Sequence, residues 1–141
     1  MNHPSTSRPS LLIVDDEPAV LAALQRALRK RLGDAVELVA HTDAMLALEA
    51  ARQRDFDVVI SDLRMPEIDG VGFLSLVSAV LPESVRMILT GSADFLTAQT
   101  AIQDAGVFRY LTKPWNDDEV ALHVRAALAQ AQANKAPRLV T

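Results

Sequence analysis

Two adjacent carboxylates, Asp15 and Asp16, follow directly on an apolar run at residues 11–14. An apolar run of this kind is typical of a strand that is buried on both faces of a parallel sheet. Pro18 suits the first turn of a helix, so the two acids are predicted to lie in a strand-to-helix turn. Neighbouring carboxylates repel each other unless a cation lies between them. A hard divalent cation with oxygen ligands is therefore expected at this turn.

Three more polar side chains follow later apolar runs in the same way. Asp62, Thr90 and Lys113 each lie at or just beyond the end of a predicted strand. Because the carboxyl ends of parallel strands share one edge of a sheet, these side chains should converge with Asp15 and Asp16. Each of them alone is explained by a helix cap, a turn or a solvated surface. Their joint position at one edge favours a functional site instead.

The hydrophobic pattern along the chain predicts an α/β fold. Short apolar segments typical of strands alternate with segments in which apolar residues recur at helical spacing. The strands are predicted at residues 11–14, 36–40, 57–61, 85–89 and 107–111, with a helix after each. This alternation calls for a doubly wound parallel sheet with right-handed crossovers and helices on both faces.

The fourth helix has an unusual outer face. Its core stripe is predicted to consist of Phe95, Ala98, Ile102 and Ala105, with Leu96 exposed. The remaining outer positions are polar but almost uncharged, so few ion pairs are expected to stabilise them. A helix of this composition is only modestly stable by itself, which suits an element that shifts between two states.

The chain is predicted to form one domain with a tail at each end. Residues 1–9 are polar and are expected to be a flexible tail. The domain spans residues 10–131, and its last helix is expected to begin at a capping pair, Asn116 and Glu119. Residues 132–141 turn polar and are expected to be a tail or the start of a linker.

The charge and the amino-acid composition of the chain exclude several classes of binding and catalytic site. The 141 residues carry a net charge of −4, and the pI is about 5.3, which argues against direct binding of nucleic acid. There are no cysteines, so a disulfide, a thiol nucleophile and a cysteine-ligated zinc site are excluded. No apolar run has the length of a membrane span, and a cytoplasmic location is expected. The histidines His3, His41 and His123 are expected on the solvent side, away from the polar edge.

Four motifs, in this order along the chain, resemble the receiver domain of bacterial two-component response regulators. They are Ile13-Val14-Asp15-Asp16-Glu17-Pro18, the segment from Ser61-Asp62 to Asp69-Gly70, Leu89-Thr90-Gly91, and Tyr110-Leu111-Thr112-Lys113-Pro114. The resemblance covers residues 10–131. It implies a five-stranded sheet with the flavodoxin-like strand order 2-1-3-4-5. It also implies a signalling domain rather than an enzyme, one that catalyses only its own phosphotransfer and slow autodephosphorylation.

The resemblance implies a phosphorylation site that depends on Mg²⁺. Asp62 matches the phosphoacceptor, which receives a phosphoryl group from a sensor histidine kinase or a histidine phosphotransfer protein. Asp15 and Asp16 match acids that, together with Asp62, hold the Mg²⁺ ion. The main-chain carbonyl of Arg64 matches a further ligand of that ion. This chemistry needs charge neutralisation and positioning rather than a general base.

The same resemblance implies a switch. Thr90 matches the hydroxyl residue that bonds the phosphoryl group, and Lys113 matches the ammonium that pairs with it. Tyr110 matches the aromatic residue that changes rotamer when Thr90 moves, and the peptide bond before Pro114 is expected to be cis. The signal is expected to leave through the fourth helix, the fifth strand and the fifth helix. Leu96, Arg109 and Trp115 are candidate contacts on that face, which would meet an effector domain, a separate effector protein or, after phosphorylation, a second copy.

Other functions remain as alternatives. A haloacid dehalogenase type of phosphatase would need a second aspartate at the position of Arg64, and a dinucleotide-binding domain would need a glycine-rich turn where Asp15 and Asp16 lie. An interaction module with the receiver fold, not controlled mainly by phosphorylation, stays open. The sequence names neither the kinase nor the output, and no direct binding of membrane or nucleic acid is expected.

Overall fold

The computed structural model describes residues 8–136 and contains one five-stranded parallel sheet. The strands are β1 (Ser10–Val14), β2 (Glu37–His41), β3 (Val58–Asp62), β4 (Val85–Gly91) and β5 (Arg109–Lys113). Their spatial order is β2-β1-β3-β4-β5, so the predicted fold class and strand order are confirmed. All carboxyl ends of the strands therefore lie at one edge of the sheet.

Helices cover both faces of the sheet. They are α1 (Pro18–Leu32), α2 (Ala44–Gln53), α3 (Gly70–Val80), α4 (Phe95–Asp104) and α5 (Asp117–Lys135). Short 3₁₀ turns, Gly33–Ala35 and Ser92–Asp94, follow α1 and precede α4. None of the helices within residues 8–136 combines the length and the apolar composition of a membrane span.

Successive strand residues enter two separate cores because side chains alternate across a strand. Leu12 and Val14 of β1 pack with α2, α3 and α4, whereas Leu11 and Ile13 pack with α1 and α5. All four of these side chains are fully buried. The continuous apolar run of β1 thus serves both cores, as expected for the inner strand of a parallel sheet.

Three helices begin at the expected type of capping residue. The side chains of Asp43, Asp69 and Asn116 accept main-chain hydrogen bonds in the first turns of α2, α3 and α5. For Asn116 the donor is the N–H of Glu119, at 3.1 Å. These bonds satisfy N–H groups that have no partner inside their own helix.

The predicted core stripe of α4 is wrong at Phe95. The buried residues of this helix are Ala98 and Ala101, and 42% of the Phe95 surface is exposed. Phe95 lies in the first turn, where its ring meets Tyr110 edge to face at 5.5 Å between centroids. Small side chains therefore make the main contact between α4 and the sheet, and Leu96 is exposed as predicted.

The fifth strand lies later in the chain than predicted. Residues 107–111 were expected, but Val107 still contacts the end of α4, because its N–H lies 3.5 Å from the Ala101 carbonyl oxygen. The Phe108 N–H then donates a hydrogen bond to the Arg86 carbonyl oxygen in β4, and residue-by-residue pairing with β4 runs from Arg109 to Lys113. The peptide bond between Lys113 and Pro114 is cis, as the resemblance implied.

The last helix continues to Lys135, past the predicted end of the domain at residue 131. The Lys135 ammonium lies 2.9 Å from both Asp55 and Asp57, and Asn134 donates a hydrogen bond to the Glu83 carbonyl oxygen at 3.0 Å. These contacts hold the last turn of α5, which lies beyond its last buried residue, Ala131, against the segments just before β3 and β4. Residues 1–7 and 137–141 of the two predicted tails, including His3, lie outside the described residues.

Candidate functional site

The structure brings Asp15, Asp16 and Asp62 together at the carboxyl edge of the sheet. One carboxylate oxygen from each lies within 4.8 Å of the others. Strand register explains this, because Val14 of β1 pairs with Ser61 of β3, and the acids come next on both strands. Asp15 is fully buried and Asp62 is 6% exposed, whereas Asp16 is the most exposed of the three.

Lys113 brings a positive charge into this cluster. Its ammonium lies 2.8 Å from Asp15 Oδ2 and 3.0 Å from Asp62 Oδ1, so it bridges carboxylates from two strands. To reach them it passes the end of β4, where its paired residue is Gly91, which has no side chain. One ammonium against three carboxylates leaves the cluster with a net negative charge.

The pKa values of Asp62 and Lys113 are both raised, but for different reasons. Burial raises the pKa of Asp62, and the negative charge of Asp15 raises it further, whereas the hydrogen bond from Lys113 lowers it. Burial alone would lower the pKa of Lys113, but its bonds to Asp15 and Asp62 outweigh burial and raise that pKa. Lys113 therefore stays protonated at neutral pH as the counter-charge of the two carboxylates.

The donor set fits a small divalent cation such as Mg²⁺. Asp15 Oδ1 is held by the main-chain N–H of Glu17 at 2.9 Å. Its other oxygen, Oδ2, is buried, and its close polar contact is the Lys113 ammonium at 2.8 Å, so a cation bound here would share this oxygen with Lys113. Two or three carboxylate oxygens with net negative charge are the ligands that Mg²⁺ uses together with water.

Thr90 lies in the last part of β4, next to the acidic cluster in the sheet. It is 1% exposed, and its hydroxyl donates a hydrogen bond to the Gly91 carbonyl oxygen at 3.1 Å. Leu89, the residue before it, pairs with Asp62. The space above Gly91 is open, since a Cβ built there would meet no atom within 4 Å. This edge therefore has room for an added group beside Asp62.

Tyr110 is not at the acidic edge itself. It pairs with Ile88 inside the sheet, is partly buried, and its ring contacts Phe95 of α4. Tyr110 thus connects β5 with the first turn of α4. The helical spacing of apolar residues did not predict this contact, because it assigned Phe95 to the core stripe of α4.

His41 lies closer to the site than expected. It ends β2 and pairs with Val14, and its carbonyl oxygen accepts a hydrogen bond from the N–H of Asp15 at 3.3 Å. This main-chain contact arises because β2 ends one residue later than predicted, at His41; the prediction that no histidine side chain takes part at this edge stays a prediction. His123 is also not simply solvated, because its Nδ1 lies 2.9 Å from the Arg109 guanidinium.

A second ion pair, between Arg64 and Asp94, joins the segments that follow β3 and β4 and was not predicted from the sequence. Arg64, in the loop after β3, contacts Asp94 Oδ1 through Nε at 3.1 Å and through a terminal nitrogen at 2.6 Å. Arg64 holds the pKa of Asp94 below its usual range through this hydrogen bond. Opposite charges in loops that leave neighbouring strands at one edge were the only available signal in the sequence.

Gly70 holds the loop that follows Asp62 against the end of β3. Its N–H donates a hydrogen bond to the Leu63 carbonyl oxygen at 2.8 Å. A Cβ at this position would overlap the main-chain carbonyl oxygen of Asp62 and lie 2.9 Å from Leu63 Cα. Both neighbours are main-chain atoms, so they cannot rotate away. The position of Asp62 therefore depends on the absence of a side chain at Gly70.

We expect Gly70→Ala to destabilise the protein by about 1–3 kcal/mol, because the added methyl group must displace the main chain of β3. Gly72→Ala is the matched control, since its Cβ would meet only side-chain atoms, those of Ile68 at 3.1 Å and of Asp69 at 3.4 Å, and no main-chain atom of another element. That control should change the free energy of unfolding by less than about 0.5 kcal/mol. Urea unfolding of both variants measures the difference, and equal midpoints would contradict this account of Gly70.

Sequence comparison identifies relatives of the chain. The model of the response regulator receiver domain family matches residues 11–125. The hydrogenase transcriptional regulatory protein HoxA of Bradyrhizobium diazoefficiens is 34% identical over 119 residues, which cover 84% of this chain and 24% of HoxA. The DNA-binding transcriptional regulator NtrC of Escherichia coli is 33% identical over 128 residues, covering 91% of this chain and 26% of NtrC. The chain thus spans about a quarter of the length of these curated relatives.

Solved structures share the fold over nearly the whole chain. The signal receiver domain of an HD domain-containing protein from Pseudomonas fluorescens Pf-5 has 32% identity and a TM-score of 0.83, covering 96% of this chain and 98% of that one. NtrX from Brucella abortus has 25% identity and a TM-score of 0.84, covering 96% of this chain and 31% of NtrX. The family match, the shared fold and the acidic edge establish that this chain belongs to the response regulator receiver domains of two-component systems.

Proposed function

We propose that Asp62 is the phosphoacceptor of this receiver domain. The observation that carries the proposal is the position of its carboxylate, 3.0 Å from Lys113 within the acidic cluster. The donor would be a phosphohistidine of a sensor kinase or a phosphotransfer protein. The N–P bond of the donor breaks as an Asp62 oxygen forms the new O–P bond, and the histidine leaves with the electron pair.

The residues around Asp62 supply charge neutralisation and positioning. A carboxylate and a phosphoryl group are both anionic, so their approach requires positive charge and alignment. Lys113 provides a fixed ammonium between Asp62 and Asp15. Thr90 would turn its hydroxyl from the Gly91 carbonyl to a phosphoryl oxygen. No general base is needed, because a carboxylate attacks without losing a proton.

Asp15, Asp16 and Asp62 would hold Mg²⁺, with the main-chain carbonyl of Arg64 as a further ligand. The three carboxylates lie close enough together to share one cation, and Lys113 neutralises only part of their charge. When bound, Mg²⁺ supplies positive charge to the phosphoryl oxygens in transit. The pairing of β1 with β3 holds the three carboxylates at a separation that would let them share one Mg²⁺ ion.

Mg²⁺ should raise the melting temperature, because binding relieves repulsion among the three carboxylates. At 100 times the dissociation constant the gain is about 2.7 kcal/mol. Asp16→Ala should remove most of this response while the domain stays folded. Glu83→Ala, at an exposed acid in the turn before β4, is the control and should keep it. Thermal melts across a Mg²⁺ series decide the matter; an unchanged response in Asp16→Ala would place the metal elsewhere.

Phosphorylation should require both Asp62 and Mg²⁺. With acetyl phosphate as donor, the wild-type protein should gain a label that is labile to hydroxylamine, whereas Asp62→Asn should gain none, since the amide is not a nucleophile. Asp34→Asn, an exposed change in the turn after α1, should be labelled like the wild type. Intact-protein mass spectrometry measures the added mass. A fully labelled Asp62→Asn variant would refute the assignment and favour an interaction module that works without phosphorylation.

The signal would leave through the surface formed by α4, β5 and α5, which we call the output face. Thr90 and Tyr110 border α4 on the two strands beside it, and Phe95 links Tyr110 to the first turn of that helix. A groove of about 370 Å³ lies on this face; its lining includes Ile102, Arg109, Tyr110, Trp115, Glu119 and His123. Leu96 is 74% exposed nearby. The partner would be an effector domain, an effector protein or a second copy.

Beryllofluoride with Mg²⁺, a mimic of the phosphoryl group, should change amide exchange mainly from Thr90 to Asp118. Thr90→Ala should still accept phosphate on Asp62 but should show a smaller change across α4, because it lacks the hydroxyl that moves. Hydrogen exchange followed by mass spectrometry compares the two proteins. Changes concentrated on α1 and β2 would show that the output face is the opposite one.

A further inference from the structure

Asp94 is a capping residue that does not cap its helix. Asp43, Asp69 and Asn116 have extended backbones, with ψ values of 124°, 167° and 127°, and each accepts N–H bonds from its own helix. Asp94 holds the same position before α4, but its ψ is 20° and its side chain makes no capping bond. Asp94 is the last residue of the 3₁₀ turn Ser92–Asp94, through which the chain enters α4, so the first turn of α4 lacks the side-chain cap that three other helices have.

The Asp94 carboxylate is bound by Arg64 instead. Both Nε and a terminal nitrogen of Arg64 contact Asp94 Oδ1, at 3.1 and 2.6 Å. Arg64 lies two residues after Asp62, and Asp94 lies four residues after Thr90. The ion pair thus joins the two loops that leave the site, one after β3 and the other after β4. The Arg64 side chain is 65% exposed, so it has space in which to change its direction.

A phosphoryl group on Asp62 would compete for Arg64. It adds a charge of about −1.5 to −2 and three acceptor oxygens close to the loop that carries Arg64. Guanidinium groups bind such oxygens in bidentate geometry. An exposed ion pair changes an equilibrium by at most about fivefold, and one N-cap bond changes it by about as much. The two arrangements of Asp94 are therefore close in energy, and one new charge near Arg64 can decide between them.

We propose that Asp94 is exchanged between two partners, Arg64 in the unphosphorylated protein and the N-terminus of α4 in the phosphorylated one. The phosphoryl group withdraws Arg64, and the freed carboxylate accepts the N–H groups of Leu96 and Thr97. This proposal rests on the proposed function of Asp62. Its consequence is a more ordered first turn in α4, the turn that carries the exposed side chains of Phe95 and Leu96.

The exchange can be tested first in the unphosphorylated protein by NMR measurement of amide exchange at Leu96 and Thr97. Arg64→Ala frees Asp94 and should slow exchange at these amides about fivefold. Asp94→Asn keeps a capping side chain but weakens the ion pair, so it should slow exchange as well. Asp94→Ala removes both contacts and should not slow it. Asp104→Asn, at the exposed far end of α4, is the matched control and should behave like the wild type.

The second test adds beryllofluoride and Mg²⁺, with occupancy read from the ¹⁹F signal of the bound ion. The wild type should slow exchange at Leu96 and Thr97, Arg64→Ala should gain little more, and Asp94→Ala should gain nothing there. Failure of the wild type to bind the ion would refute the proposed role of Asp62 and leave the first test standing. The exchange proposal is overturned if Arg64→Ala and Asp94→Asn both match the wild type in the first test. It is also overturned if Asp94→Ala gains wild-type protection in the second.

Discussion

The contact of Lys113 with two buried carboxylates is the interaction on which the site depends. Asp15 is fully buried, and a buried carboxylate without a compensating charge is strongly destabilising. Lys113 supplies that charge to Asp15 and Asp62 from the far side of β4. It compensates only part of the negative charge of the three carboxylates. Under the proposed function, the remaining negative charge would attract a divalent cation and, through that cation, an anionic phosphoryl group.

The parallel sheet makes this contact possible. Asp15, Asp62 and Lys113 come from β1, β3 and β5, which are far apart in the chain, and only the strand register brings their ends together. Gly91 and Gly70 contribute by having no side chain: Gly91 leaves the end of β4 open, and Gly70 allows the following loop to pack directly on Asp62. The chemistry of the edge therefore rests on residues that contact no substrate.

The helices differ in how firmly the sheet holds them, and this bears on signalling. Helix α3 is held by the large buried side chains of Phe73, Leu74 and Val77, whereas α4 buries only Ala98 and Ala101. Because the free energy of burial scales with apolar area, a shift of α4 costs less than a shift of α3. A change near Thr90 and Tyr110 can therefore move α4 at a lower cost in buried apolar area than it could move α3.

The amino-acid sequence by itself determined the features that depend on short-range patterns. Apolar runs and helical spacing predicted the strands and helices, acids at strand ends predicted the polar edge, and Asn116 predicted a helix start, because its cap bond reaches only to Glu119. Motif resemblance added the strand order. Tertiary structure alone decided that Phe95 meets Tyr110, that Asp94 binds Arg64 rather than its own helix, and that Lys135 extends α5 by binding Asp55 and Asp57. Each of these contacts joins residues far apart in the chain, and in each a long-range partner competes with a local preference, so only the packed fold can show which one prevails.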